Sequence, residues 1–170
     1  MTEVKRLAIL WAPWRMKYLE SLRRETCIFC IGKDSGKDQE NLVVYRGLKS
    51  FIMVNKYPYN TGHVMVAPYR HVSDLTNLTD EELLDTMKNV SLSIRILREA
   101  LRPEGFNIGV NLGKVSGAGI EDHVHIHVVP RWLGDTNFMP VVSQAKVIPE
   151  LPETTCRKLR EALSRLMDRG

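Results

Sequence analysis

Apolar and polar positions follow two periods along the chain, and the change from one to the other marks the elements. Residues 42–46 (LVVYR) and 50–55 (SFIMVN) are short β-branched and aromatic runs parted by Gly47, which predicts a hairpin. Residues 56–62 (KYPYNTG) carry Pro58, Asn60 and Gly62 and predict a turn, and residues 63–68 (HVMVAP) predict the next strand. The period then lengthens. Thr79-Asp80-Glu81-Glu82 has the pattern of a capping box. Behind it Leu83, Met87, Val90, Ile94, Leu97 and Leu101 recur at steps of four and three, which predicts a long helix with that stripe in the core. Pro103 ends it. Residues 106–112 and 123–129 predict two more strands, with the glycine-rich loop GKVSGAG (113–119) after the first of them. Residues 14–24 predict a short helix behind Pro13, and residues 152–168 a polar C-terminal helix. Strands joined by hairpins around one long helix imply an α+β fold with a mainly antiparallel sheet of about five strands.

The length of 170 residues suits one domain spanning 1–170. No run of 18 apolar residues is present, so no membrane span is expected. The apolar patch near the N-terminus is broken by Pro13 and Arg15 and lacks a small-residue cleavage site, which reads as mature protein in the cytoplasm. The net charge of +4 describes a mixed, solvated surface compatible with a phosphate-bearing ligand. The basic residues are scattered, without an aromatic-interleaved stripe, so nucleic acid is not expected as the main partner. Three cysteines, an odd number, argue against a disulfide framework. Cys156 carries no assigned role. Cys27 and Cys30 form a C-x-x-C pair: a redox pair, half a zinc site or coincidence. The redox reading wants a βαβ context, which is missing.

Three of the five histidines fall at His123, His125 and His127, interleaved with Val124, Ile126 and Val128. Side chains of a strand alternate faces, so the imidazoles share one face and the aliphatic residues the other. Imidazoles two residues apart stand ~6.6–7 Å apart along the backbone, so three in line can surround one small anion. A chance cluster fits poorly with so scarce a residue at so strict a spacing. A metal site is a second reading, since H-x-H on a strand suits zinc. The third is nucleophilic catalysis, because a neutral imidazole can attack phosphorus while its neighbours hold phosphate oxygens and manage protons. The preceding loop favours the third, because glycines at 113, 117 and 119 let backbone N–H groups turn toward an anion.

HVHIHVV, residues 123–129, resembles the signature of the histidine triad (HIT) superfamily, His-φ-His-φ-His-φ-φ with φ apolar. Members are nucleotidyl hydrolases and transferases that cleave a bond at the phosphorus attached to a nucleoside. MVNKYPYNTGHVMVAPYRH (53–71) is similar to the family's upstream strand–turn–strand with its own histidine, here His63. NLGKVSGAGIEDHVHIHVVPRWLGD, the earlier ILWAPWRMKYLE and the C-terminal extension resemble the diadenosine tetraphosphate phosphorylase branch, and the resemblance covers residues 8–165. It implies an HIT-like fold, with His125 as the nucleophile at the α-phosphorus, His127 contacting the phosphate and leaving group, and His63 orienting them. Asn55 matches the position that holds the ribose hydroxyls. Asn111, Gly117, Gly119 and Ile120 fall in the phosphate-binding loop, and Met53, Ile28 and Phe29 match positions lining the base pocket. Relatives commonly place a Ser or Thr just before the triad, whereas this chain has Gly119 and Ile120, with Ser116 displaced upstream.

The resemblance extends to zinc-bearing relatives such as galactose-1-phosphate uridylyltransferases, which implies a structural zinc on Cys27, Cys30, His71 and His123. It also implies an adenine nucleotide or dinucleoside polyphosphate as substrate, and a homodimer joined edge to edge. With phosphate as acceptor the product would be ADP, with water AMP. The residues do not separate the two, and the branch resemblance implies phosphate. Nucleoside phosphoramidates and adenylylated compounds present the same phosphorus to the same imidazole. Two readings of other classes stand beside this one. A zinc hydrolase with H-x-H on a catalytic metal lacks an acidic residue on the histidine strand, and a non-catalytic nucleotide sensor would not need an intact nucleophile.

Overall fold

The computed structural model describes residues 27–32, 35–136 and 146–169. The helix predicted over residues 14–24 lies outside them. Five strands, β1 (Val43–Arg46), β2 (Ser50–Val54), β3 (Val64–Pro68), β4 (Gly105–Val110) and β5 (Ile126–Arg131), form one antiparallel sheet in the order β1-β2-β3-β5-β4. Helix α1 (Asp80–Leu101) and helix α2 (Pro152–Asp168) pack on one face. No helix among the described residues is long and apolar enough to cross a membrane.

Alternation along the strands gives the sheet two apolar faces of different use. Ile52, Val54, Val64, Val66, Ile126 and Val128 pack beneath the helices, with Val90, Ile96 and Leu97 of α1 and Cys156, Leu159 and Ala162 of α2. Cys156 is thus a core residue, so the C-terminal helix is polar on one side only. Phe51, Met53, Met65 and Ala67 point the opposite way and enclose Phe29, with Cys27, Ile31, Tyr69 and Ile120 at the margin. The histidines rest on this second face.

The capping box is present: Thr79 Oγ1 accepts from the Glu82 amide and the Glu82 carboxylate accepts from the Thr79 amide. Such a cap contributes ~1 kcal/mol. Arg70 braces the same carboxylate. The face that α1 buries is more polar than the predicted stripe. Met87 is 55% exposed, while Thr86, Asn89 and Ser93 are buried with Val90, Ile96 and Leu97. The reason is the β1–β2 hairpin beneath. Asp85 accepts from the Lys49 and Ser50 amides and from Ser50 Oγ, and Asn89 donates to Ser50 Oγ, so the turn needs polar partners from the helix.

Two features place the histidines. Gly62 has φ +80°, and a Cβ there would lie 2.6 Å from Leu101 Cδ1, so only glycine turns the chain into His63. The predicted strand 123–129 pairs only from Ile126 onward. Its β3 partner ends at Pro68, which has no N–H to offer a ladder, and the Val124 amide bonds to the Val72 carbonyl instead.

Candidate active site

His63, His125 and His127 cluster on the second face, with His123 at its edge. Ring centroids of His125 and His127 are 4.8 Å apart, and those of His63 and His127 are 5.1 Å apart. Phe29 stacks on His125 at 4.5 Å and tilts against His123 at 5.3 Å. All four imidazoles are shifted toward the neutral form, first of all by burial. Burial, with His127 and His125 nearby, pushes His63 down to about 3. Burial, with His125, pushes His127 down to about 4. His123 and His125 are lowered in the same direction.

Each ring then holds one proton, and its neighbours dictate where. The Tyr59 backbone N–H donates to His63 Nδ1 at 3.1 Å. An amide can only donate, so the His63 proton sits on Nε2. Asn55 adds its side-chain NH₂ at 3.2 Å from the same Nδ1, its own oxygen being taken by the Tyr57 amide. His63 Nε2–H therefore donates to His127 Nδ1 at 2.9 Å. The proton of His127 is left on Nε2, a buried nitrogen without a hydrogen-bond partner. His125 has the opposite arrangement. Its Nδ1 lies 2.8 Å from the His123 carbonyl, which can only accept, so Nδ1 carries the proton and the Nε2 lone pair is free. A lone pair and an N–H donor thus stand side by side, as transfer at a phosphorus requires.

His123 faces a different set of atoms. Its Nε2–H donates to the Pro68 carbonyl at 2.9 Å, which leaves the Nδ1 lone pair toward Cys27 Sγ at 3.4 Å and Cys30 Sγ at 3.8 Å. His71 Nδ1 is 3.2 Å from Cys30 Sγ, and the four candidate ligand atoms all lie within 4.8 Å of one another. Neighbouring ligands of a tetrahedral zinc with Zn–S ~2.3 Å and Zn–N ~2.0–2.1 Å stand about 3.3–3.8 Å apart, close to the 3.2–3.8 Å sulfur–nitrogen spacings here, and the wider ones, up to 4.8 Å, would close on an ion. The Pro68 carbonyl is the outer partner that a ligating imidazole requires. Burial, with Cys30 beside it, pushes the Cys27 thiol up to about 11, so this sulfur becomes a thiolate at neutral pH only beside a cation.

The remaining sequence-predicted residues surround this centre. Asn111 is half-buried at the end of β4. The loop after it is exposed, and Gly113 and Gly117 take φ +75° and +85°, which fits their type. Ser116 Oγ donates to the Gly113 carbonyl at 2.7 Å and so closes the loop on itself. Gly119 is exposed, and Ile120 packs against the Phe29 cluster. Met53 and Phe29 are buried, while Ile28 is 45% exposed. Sequence reasoning missed Tyr59, whose amide sets the His63 tautomer and whose ring lies 4.7 Å from His63. Its signal was position, four residues ahead of a histidine across a glycine turn.

Comparison with known proteins agrees with this geometry. A family match to the HIT domain spans residues 36–132. The chain is 42% identical over 158 residues to an AP-4-A phosphorylase of Mycobacterium tuberculosis, covering 88% of this chain and 81% of that one. It is 36% identical over 93 residues to an asymmetrical bis(5'-nucleosyl)-tetraphosphatase of Schizosaccharomyces pombe, covering 55% and 50%. Among solved structures, a Zn-bound histidine triad family protein of Mycobacterium smegmatis superposes with a TM-score of 0.64 at 29% identity, covering 85% and 98%.

The buried neutral histidines couple stability to pH. Unfolded histidines take up protons near 6.5, whereas folded His63 and His127 do so only near 3 and 4. In that window the unfolded state binds more protons, so stability is complete above pH 6.5 and declines as pH falls, by up to ~1.4 kcal/mol per unit for each ring. Urea denaturation should show the loss already between pH 6.5 and 5, before carboxylates titrate, with a shallower slope in His63→Gln. Equal slopes in the two proteins would contradict the assignment.

Proposed function

The chain belongs to the HIT family, and from that premise we propose that it is a nucleotidyl transferase or hydrolase acting on dinucleoside polyphosphates, as a diadenosine tetraphosphate phosphorylase does. The observation that carries this reading is the free Nε2 lone pair of His125 beside the unpartnered Nε2–H of His127. His125 Nε2 attacks the α-phosphorus and forms a P–N bond. The bond from that phosphorus to the bridging oxygen breaks, and the polyphosphate leaves as an anion with the electron pair. His127 Nε2–H donates a hydrogen bond to the charge developing on oxygen, a contribution that a dry site makes large. His125 Nδ1–H stays on the His123 carbonyl and stabilises the cationic nucleotidyl-imidazolium. An oxygen of phosphate, or of water that passes its proton to solvent, then attacks the same phosphorus, and the P–N electron pair returns to Nε2. Phosphate yields ADP and water yields AMP. The resemblance to the phosphorylase favours phosphate.

In this reading His63 fixes the His127 tautomer, and Asn55 serves both His63 and the ribose hydroxyls. Amides of the loop around Asn111, Gly117, Gly119 and Ile120 meet the phosphate oxygens, with Ser116 beside them. The adenine lies toward Ile28, Met53 and Phe29. Cys27, Cys30, His71 and His123 would hold a structural zinc, which would tie the N-terminal knuckle to the histidine segment. With four protein donors such a site would supply structure to the fold and not Lewis-acid chemistry. Paired cysteine thiols suit the reducing cytoplasm. Among the described residues no strand pairs with the outer edge of β4, where Ile108 is 47% exposed, and this is the edge where a second copy would extend the sheet.

Incubation with diadenosine tetraphosphate is expected to give ADP and ATP only when phosphate is added. His125→Ala should lower turnover at least ~10³-fold, as loss of a covalent nucleophile does. Turnover within a few-fold of the wild type in His125→Ala would reject the mechanism. Purified protein should contain zinc, and Cys27→Ser should lose the metal and melt at a lower temperature. Unchanged zinc content in that variant would reject the site.

A further inference from the structure

The histidine face does not end at His127. Val129 and Arg131 continue it along β5, so Arg131 stands ~13 Å beyond His127 along the strand. Asn107 of β4 pairs with Val129 from the side. With Tyr59, Asn60 and Lys146 these residues line a cleft of about 260 Å³. Tyr59 forms its near wall, with its ring 5.7 Å from His127 and the residue 55% exposed. Arg131 is held rigidly, with two nitrogens on the Asp135 carboxylate and the third on Asn107 Oδ1. Asp135 also accepts from Asn60 and its side chain is 6% exposed, so it sits behind the arginine and outside the cleft lining. Lys146 adds a second cation, and no carboxylate is among the lining residues.

Direction along the strand assigns this cleft a ligand. Phe29 lies against the His123–His125 end, with Met53 in register with His127 through Met65, while the unpartnered nitrogen belongs to His127, the histidine of β5 nearest the cleft. A group departing past His127 runs over Val129 toward the two cations. We propose that the cleft bounded by Tyr59, Asn107, Val129, Arg131 and Lys146 is the subsite for the departing arm of a dinucleoside polyphosphate. Lys146 and Arg131 meet its distal phosphates and Tyr59 stacks on its nucleoside. This rests on the function proposed above and extends it to the half of the substrate that leaves.

The test compares two ligands by calorimetry: AMP, which fills only the nucleotidyl end, and a methylene-bridged dinucleoside tetraphosphate, which fills both. The wild type is expected to bind the bridged analogue more tightly. In Lys146→Glu the ratio of the two dissociation constants should shift against the analogue by about fivefold, the size of a ~1 kcal/mol charge contact. Lys146→Arg should restore it, and Asn107→Asp should shift the ratio the same way as Lys146→Glu. An unmoved ratio in Lys146→Glu, with both ligands still bound, overturns the subsite and leaves the proposed function intact. Failure of the wild type to bind either ligand overturns the proposed function and this inference together.

Discussion

The backbone amide of Tyr59 fixes the proton positions of His63 and His127 on the histidine face. Because it can only donate, it makes His63 Nδ1 an acceptor, sends the His63 proton to Nε2, and so leaves the His127 proton on its unpartnered Nε2. A different backbone group, the His123 carbonyl, imposes the opposite tautomer on His125. Two adjacent imidazoles of identical chemistry thereby acquire different roles from main-chain groups that no protonation change can reverse. Burial completes the arrangement by keeping the rings neutral at physiological pH.

The rest of the fold keeps those main-chain groups in place. Gly62 allows the turn that brings the Tyr59 amide over His63, and its close approach to Leu101 and Pro130 ties that turn to α1 and β5. Pro68 ends β3 and offers its carbonyl to His123, so the segment from His123 to His125 lies outside the ladder, with a bend at Asp122 and His123. The thiols of Cys27 and Cys30 approach the other nitrogen of His123, and the carbonyl of that same residue accepts from His125 Nδ1. The candidate metal ligands and the His125 ring thus meet at one residue, His123, two positions from His125.

Much of this was legible in the sequence, for identifiable reasons. The triad stood out because histidine is scarce and strand spacing is regular, and the capping box at Thr79 and Glu82 is a local signal that needs no tertiary context. The apolar stripe of α1 was legible only in part. Met87 fits the period but faces solvent, because the hairpin beneath the helix requires Asp85 and Asn89, and a polar demand from a distant segment leaves no trace in periodicity. The tautomers were not legible at all, since they depend on amides and carbonyls, which every residue type carries. The cleft beyond His127 was hidden likewise, because Tyr59, Asn107 and Arg131 come from three separate elements.

The central claim is that His125 bonds covalently to phosphorus through Nε2. Rapid acid-free quenching of the protein with diadenosine tetraphosphate, without phosphate, followed by peptide mass spectrometry, tests it most directly. An adenylyl group on the peptide containing His125, attached at Nε2 and discharged to ADP when phosphate is added, is the predicted result. Steady turnover with no adenylyl group on His125 at any time, or with the group on another residue, would contradict the account.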